Sequence, residues 1–157
     1  MIKINVIIND NNWLNYIRRP NDYLNKKISK LNLNTKELKK KHFFCTLLLS
    51  GNKQIKHLNK KFRKKNKTTD VLSFPFYEKN QLNNKIRKEK EVYLGDIIIN
   101  LSQVKNKNNK VKFKEELNKL WIHGLLHLLG YDHKSNTKYL KMKKLENEFS
   151  YLIKKNA

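Results

Sequence analysis

The sequence predicts an α+β domain in which a small mixed β-sheet is packed by helices, one of them buried at its centre. Short apolar runs alternate along the chain with stretches in which apolar residues recur at helical spacing. One stretch, 120–129, is apolar on every face, which is typical of a central helix. The length of 157 residues, 38% of them hydrophobic, suits a single domain over 1–157 with its own core.

The first half of the chain is predicted to form two strands, each followed by a helix. Residues 3–8 form the first strand, and the apolar spacing within 13–31 predicts a helix that is interrupted near Pro20. The dense apolar and aromatic run 42–49 favours a buried strand. One face of 53–64 is apolar and the rest is polar or basic, so this segment is predicted to be an amphipathic helix.

The middle of the chain is predicted to contain two strands joined by a loop. Residues 70–76 are apolar and terminated by proline, which indicates another strand. The polar, mixed-charge segment 77–91 is expected to be a solvated, mobile loop. Residues 92–100 form the next strand, which is expected to break at Gly95.

Two helices are predicted to complete the domain. The first covers 113–129, and Gly130 stands where a left-handed cap would end it. The second is amphipathic over 139–153. The predicted order of elements is therefore β-α-β-α-β-β-α-α.

The charge is strongly basic, with 36 Lys plus Arg against 13 Asp plus Glu and a formal net charge of +23. Arginine occurs only four times and alanine once, a pattern typical of AT-rich coding, so part of the lysine excess is compositional drift. The rest predicts attraction to polyanions, with nucleic acid as the first partner class and an anionic membrane surface as the second.

Compartment and membrane topology also leave signals in the sequence. Cys45 is the only cysteine, which excludes an intramolecular disulfide and a cysteine zinc ribbon. No stretch reaches 18 apolar residues, and no secretory signal is recognisable at the amino terminus. We therefore expect a cytoplasmic protein that is neither secreted nor membrane-spanning.

Three histidines carry the clearest chemical signal. His123 and His127 are four residues apart on one helix face, and His133 follows the turn at Gly130. This spacing brings three imidazoles to one ion and leaves one coordination position open. Zinc fits best, with nickel, copper and iron as other candidates. The alternative is that these are ordinary hydrogen-bonded or loop histidines.

The ligand spacing matches that of the metzincin proteases except at one position. Those enzymes carry a glutamate directly after the first histidine, where this chain has Gly124. Without that general base, peptide hydrolysis is not favoured, whereas a metal-bound water can still attack an ester or phosphodiester. Asp132 and Asp96 are candidates for orienting a ligand imidazole, or else are ordinary turn and strand-end carboxylates.

A basic segment supplies a candidate for stabilising phosphate charge. Arg63 stands out because the chain otherwise prefers lysine, and a guanidinium grips phosphate oxygens with two hydrogen bonds. Aromatic residues nearby are candidates for stacking on unpaired bases, although Phe74 and Phe76 are expected in the core. The basic residues of 53–67 are Lys53, Lys56, Lys60, Lys61, Arg63, Lys64, Lys65 and Lys67, and the other two aromatic candidates are Tyr77 and Tyr131.

These residues resemble the YbeY endoribonucleases, also called rRNA maturation factors. The segment 123–133 reads His-Gly-Leu-Leu-His-Leu-Leu-Gly-Tyr-Asp-His and matches the family signature at every specified position. Two further family blocks resemble 63–75 and 94–99. The chain departs from the second of the three blocks at Asn66 and Thr68, neither of which is a candidate ligand.

The resemblance implies a single-strand-specific, metal-dependent endoribonuclease that acts in 16S rRNA 3′-end maturation and ribosome quality control. It places one zinc ion on His123, His127 and His133 and catalytic roles on Arg63 and His123. The implied partners are single-stranded RNA, including rRNA, and the ribosome or small-subunit proteins; neither DNA nor a membrane is expected.

Two other readings of the sequence stay open at this point. One is a zinc-stabilised RNA-binding factor in ribosome assembly without turnover, in which the histidines are structural. The other is a metal-dependent hydrolase of another substrate, such as a small phosphoester or a peptide, in which the basic surface is drift.

Overall fold

The fold is given by a computed structural model that describes residues 1–35 and 40–155. The predicted domain 1–157 also includes 36–39 and 156–157, which lie outside the described residues. In chain order the elements are β1 (Ile2–Ile8), α1 (Pro20–Asn34), β2 (His42–Ser50), α2 (Asn52–Arg63), β3 (Val71–Pro75), α3 (Lys79–Lys88), β4 (Glu91–Asn100), α4 (Lys110–Leu128) and α5 (Asn136–Lys154).

The four strands form one mixed sheet in the order β1-β2-β4-β3. Strands β1, β2 and β4 are parallel, and β3 runs antiparallel to β4 along the edge. A mixed sheet with helices packed on it confirms the predicted α+β class.

Strand β4 is continuous, so the break expected at Gly95 is wrong. The register against β2 passes from Tyr93 to Gly95, leaving Leu94 as the extra residue of a β-bulge. The bulge keeps apolar side chains on one face, since Leu94 within it and Ile97 after it belong to the same buried cluster. A strict alternation would have turned one of these side chains to the opposite face.

Side-chain alternation along β4 separates two apolar layers. Ile97 and Ile99 pack in the large cluster that also takes in residues of α1, α4 and α5. Ile98 faces the other way and packs with Ile55 of α2 and Leu72 of β3. The sheet is therefore covered on one face by α1, α3, α4 and α5 and on the other by α2.

Helix α4 is the buried central helix that the sequence predicts. Trp121, Ile122 and Leu125 are fully buried, and α4 contacts β3, β4 and α5. Gly130 follows with a φ of +89°, and its N–H donates to the carbonyl of His127 at 3.0 Å. The expected left-handed end of this helix is confirmed.

The segment expected to be a loop between the last two strands contains helix α3. The side chains and backbones of Glu78 and Gln81 form a reciprocal capping box at its start, and Leu82 is buried in the main cluster. One well-placed buried leucine and a cap thus outweigh a composition that is otherwise polar and charged.

The remaining differences lie at the amino-terminal half. Pro20 begins α1 rather than interrupting it, because the first helical turn needs no N–H from that position. The preceding Asn11–Asn15 is a short 3-10 helix that buries Trp13.

Cys45 is buried, and burial raises the pKa of its thiol to about 12. Among 1–35 and 40–155, no helix has the length and apolar character needed to span a membrane.

Candidate metal centre

Three imidazoles converge where α4 ends and the chain turns towards α5. His123 and His127 project from consecutive turns of α4, and their Nε2 atoms lie 3.0 Å apart. The chain reverses at Gly130 and brings the His133 ring to centroid distances of 5.7 and 5.1 Å from the other two. One ring nitrogen from each histidine lies within 4.8 Å of the others, a spacing that could hold a metal ion.

The outer nitrogens of the two helical histidines are held by neighbouring groups. The Nδ1 atom of His123 lies 2.7 Å from Oε1 of Glu146 on α5, and Nδ1 of His127 lies 2.9 Å from the backbone carbonyl of Tyr131. Both oxygens are acceptors, so both Nδ1 atoms carry the proton. Such contacts fix the tautomer of metal-ligating histidines and direct the other nitrogen to the ion.

This donor set fits a cation. With Nδ1 protonated, the neutral rings of His123 and His127 present Nε2 lone pairs to each other at 3.0 Å. Two lone pairs facing each other at this distance repel unless a proton or a metal ion lies between them. Three nitrogen donors, two of them with held outer nitrogens, are a ligand set that suits zinc.

The surroundings of His127 favour the neutral form of its imidazole. Burial, followed by the nearby His123, lowers the pKa of His127, while the hydrogen bond to Tyr131 opposes the shift. The positive charge of Arg63 also lowers the pKa of His127, which indicates that the guanidinium lies near the cluster. The neutral imidazole is the form that binds a metal.

Arg63 is carried to this site by the end of α2. It is the last residue of the helix, and Lys64 takes a left-handed conformation with a φ of +59° that ends it. The buried Asn59 amide donates to the carbonyl of Lys67 at 2.9 Å, which ties the following loop back to α2. The exposed Arg63 side chain is thus presented from an anchored turn.

The histidines and Arg63 line one open cavity of about 830 Å³. The cavity lies between the end of α4, the edge strand β3 and the start of α3. Its lining brings together the three candidate ligands, four cations and three aromatic side chains; beyond the histidines these are Arg63, Lys65, Lys79, Lys134, Phe76, Tyr77 and Tyr131.

The position of the missing protease glutamate has no room for a side chain. A Cβ atom on Gly124 would lie 2.7 Å from Cγ2 of the buried Ile97 and 3.2 Å from Oγ of Ser73. Gly124 faces the sheet, and its small size lets α4 approach β3 and β4 closely. The absence of a carboxylate here is therefore built into the packing of the domain.

Of the two interpretations that the sequence left open for Asp132 and Asp96, the structure favours ordinary carboxylates over groups that orient an imidazole. Asp132 accepts hydrogen bonds from the backbone of Lys134 and from Lys138, and Asp96 accepts one from Tyr93, so neither has an imidazole partner among its described hydrogen bonds. Glu146 is the carboxylate whose described contacts reach a candidate ligand. Sequence reasoning missed it because it lies 23 residues beyond His123 on another helix.

The two phenylalanines expected in the core have different fates. Phe74 is half-buried and contacts Phe62 of α2, with ring centroids 5.3 Å apart. Phe76 lies just beyond the end of β3 and exposes 63% of its surface beside the cavity. The apolar alternation of the strand does not continue past Pro75, so the core expectation fails at Phe76.

Comparison with known proteins connects this site with a family. The family model described as Endoribonuclease YbeY matches residues 8–153. A protein of Pelagibacter ubique named Endoribonuclease YbeY is 42% identical over 98% of this chain and 97% of its own length. Another so named, from Ehrlichia canis, is 36% identical over 93% of this chain and 88% of its own.

A solved structure shows a similar fold. The solution structure of a Thermotoga maritima protein is 27% identical and covers 98% of this chain and 89% of its own, with a TM-score of 0.59.

Proposed function

This chain belongs to the YbeY endoribonuclease family, and we propose that it is a zinc-dependent endoribonuclease that cleaves single-stranded RNA. The observation that carries the proposal is the convergence of three imidazoles and one guanidinium on a single open cavity. His123, His127 and His133 would hold one zinc ion. Zinc bound at such a site supplies Lewis acidity, which polarises a phosphate oxygen and lowers the pKa of a water molecule.

The chain's own residues prepare this chemistry by fixing positions and protons. Glu146 and the Tyr131 carbonyl hold the proton on the outer nitrogen of His123 and His127, which keeps the inner nitrogens free to bind. The exposed Arg63 guanidinium binds the phosphate and stabilises the negative charge that develops in the transition state. No carboxylate occupies the position of the protease base, which disfavours peptide hydrolysis.

The charge supports RNA as the substrate class. A formal net charge of +23 attracts a phosphate backbone, and four cations line the cavity itself. Family membership together with this charge supports a role in 16S rRNA 3′-end maturation and ribosome quality control, in the cytoplasm and with the ribosome or small-subunit proteins as partners.

Cleavage of matched RNA substrates tests this proposal. An end-labelled single strand and the same strand annealed to its complement are incubated with the chain as purified, after chelation and after zinc is restored. We expect cutting of the single strand, its loss on chelation and its return with zinc. Equal cutting of the duplex contradicts strand selectivity, and cutting that survives chelation contradicts zinc dependence.

A further inference from the structure

Phe76 is an exposed aromatic residue held in a fixed place beside the candidate metal centre. It follows Pro75 at the end of β3, and its backbone N–H donates to the carbonyl of Leu94 at 2.9 Å. The backbone is thus tied to β4, while the residue is 63% exposed and lines the same cavity as the histidines. An apolar ring in this position is available to a ligand.

Two tyrosines fix the orientation of this ring. The rings of Tyr77 and Tyr93 lie 4.9 and 5.6 Å from that of Phe76, at interplanar angles of 83° and 75°. Tyr93 is itself anchored, since its hydroxyl donates to Asp96 at 2.7 Å and lies 3.1 Å from Oγ1 of Thr46. Near-perpendicular contacts of this kind are favourable between aromatic rings.

The same cavity supplies positive charge for a phosphate backbone. Arg63 lines it from the end of α2 and Lys65 from the loop that follows, while Lys79 and Lys134 line it from the start of α3 and the turn before α5. Proteins bind single strands by combining cations along the phosphate backbone with aromatic rings on which the bases stack. Bases within a duplex are stacked on each other and cannot meet such a ring.

We propose that Phe76 forms a nucleobase-stacking subsite next to the phosphate to be cleaved, so that this residue selects unpaired RNA. The inference rests on the proposed function and deepens it, because it assigns strand selectivity to one side chain. The occupant is a base of single-stranded RNA, and a protein partner on this surface is the competing outcome of the test.

Binding can be measured without cleavage in the chain 1–157 carrying His127→Ala. In that background we expect Phe76→Leu, which keeps an apolar side chain but no ring, to weaken binding of a short single-stranded RNA by about 5- to 150-fold. The matched control is Tyr151→Leu, which removes an exposed ring on α5 outside the cavity and leaves the affinity unchanged. An RNA that lacks a base opposite Phe76 loses the sensitivity to Phe76→Leu.

A second variant reports on stacking directly. Trp13 and Trp121 are fully buried, so Phe76→Trp introduces the exposed indole whose fluorescence a stacked base quenches. Equal RNA affinity of the Phe76→Leu and parent chains overturns the inference and leaves a protein-binding surface as the interpretation. An equal loss of affinity with RNA that lacks bases also overturns it, because the ring would then not contact a base. Failure of the wild-type chain to bind any single-stranded RNA contradicts the proposed function instead.

An independent observation concerns Glu146, whose carboxylate joins α5 to the candidate metal centre. The side chain is largely buried, with 19% exposed, and its two oxygens face His123 Nδ1 at 2.7 Å and Lys143 Nζ at 3.3 Å. We infer that Glu146 is a positioning residue, which orients the His123 ring towards the ion through its Nδ1 proton. This inference also rests on the proposed metal site.

Zinc affinity measured by competition with a chelator tests the role of Glu146. We expect Glu146→Ala to weaken zinc binding by about 10- to 100-fold, and Glu146→Gln by less, since its amide oxygen still accepts from Nδ1. Glu148→Ala, at an exposed position on the same helix, is the matched control. Unchanged affinity in Glu146→Ala, with only its zinc-free melting temperature lowered, overturns the inference; absence of zinc binding by the wild-type chain contradicts the metal site itself.

Discussion

At the residue scale, the guanidinium group of Arg63 is predicted to matter beyond its charge. The change Arg63→Lys keeps one positive charge in the cavity but loses the paired donors that grip a phosphate. We expect kcat/KM for single-stranded RNA to fall by about 100-fold, in the range found when one donor to a transition-state anion is removed. Arg87→Lys, at the end of α3 and outside the cavity lining, is the matched control. An unchanged rate in Arg63→Lys would remove this residue from the catalytic group.

Gly124 is predicted to set how closely α4 approaches the sheet. In Gly124→Ala the new Cβ meets the buried Ile97 at 2.7 Å, so strands or helix must shift. Crowding of this kind costs about 1–3 kcal/mol, and the better helix propensity of alanine returns up to about 1 kcal/mol. Chemical denaturation should therefore show a net loss of roughly 1–2 kcal/mol in the free energy of unfolding, and a gain in stability would contradict the close packing.

Residue types and spacing predicted the candidate ligands but not the groups that support them. His123, His127 and His133 lie within 11 positions, where helical periodicity and one glycine turn decide their proximity. Glu146 reaches His123 only through the packing of α5 on α4, and no local pattern specifies that packing. Phenylalanine is a residue type common in protein cores, yet Phe76 is exposed because β3 ends at the residue before it.

At the scale of elements, β4 depends on the glycine in its bulge. Gly95 has a φ of +129°, and a Cβ there would lie 2.1 Å from the carbonyl oxygen of Phe74 on the paired strand. Backbone atoms cannot give way as a side chain does. We expect Gly95→Ala to lower the free energy of unfolding by about 3 kcal/mol or more and to disturb the edge strand that carries Phe76.

Gly51→Ala provides the matched comparison for this prediction. A Cβ on Gly51 would also come close to a neighbour, at 2.7 Å, but that neighbour is the end of the Asp10 side chain, which can rotate. Gly51→Ala should lower the free energy of unfolding by less than about 1 kcal/mol in the same denaturation experiment. Equal losses in the two variants would contradict the role assigned to the bulge.

The elements that the sequence predicted well are those whose apolar pattern is long or dense. Strand β2 and helix α4 agree with their predictions because burial on several faces leaves little choice of structure. Helix α3 was missed because a cap and the single buried Leu82 define it, and these are visible only against the rest of the fold.

At the scale of the whole molecule, the positive charge is predicted to govern binding. The affinity for single-stranded RNA falls with salt by about 0.7 in log–log slope for each phosphate contact. If all four cations of the cavity lining contact phosphates, titration of the His127→Ala chain should give a slope of about −3 or steeper. A slope near zero would mean that the charge is drift and that the substrate is not a nucleic acid.

The α+β class was predictable from the whole sequence because alternation of strand and helix patterns survives errors in single elements. Sheet order and the side of the sheet that each helix covers were not, since they depend on contacts between distant segments. The open cavity is a property of that arrangement: it forms where the end of α4, the edge strand β3 and the start of α3 meet.

The most direct test of the central claim is cleavage of an end-labelled single-stranded RNA by three chains purified side by side. These are the wild type, His127→Ala at the candidate centre and His57→Ala, an exposed histidine on α2 outside the cavity. With zinc present, we predict that the wild type and His57→Ala cut the RNA and that His127→Ala does not. Equal cutting by all three, or by none, would contradict ribonuclease chemistry at the three histidines.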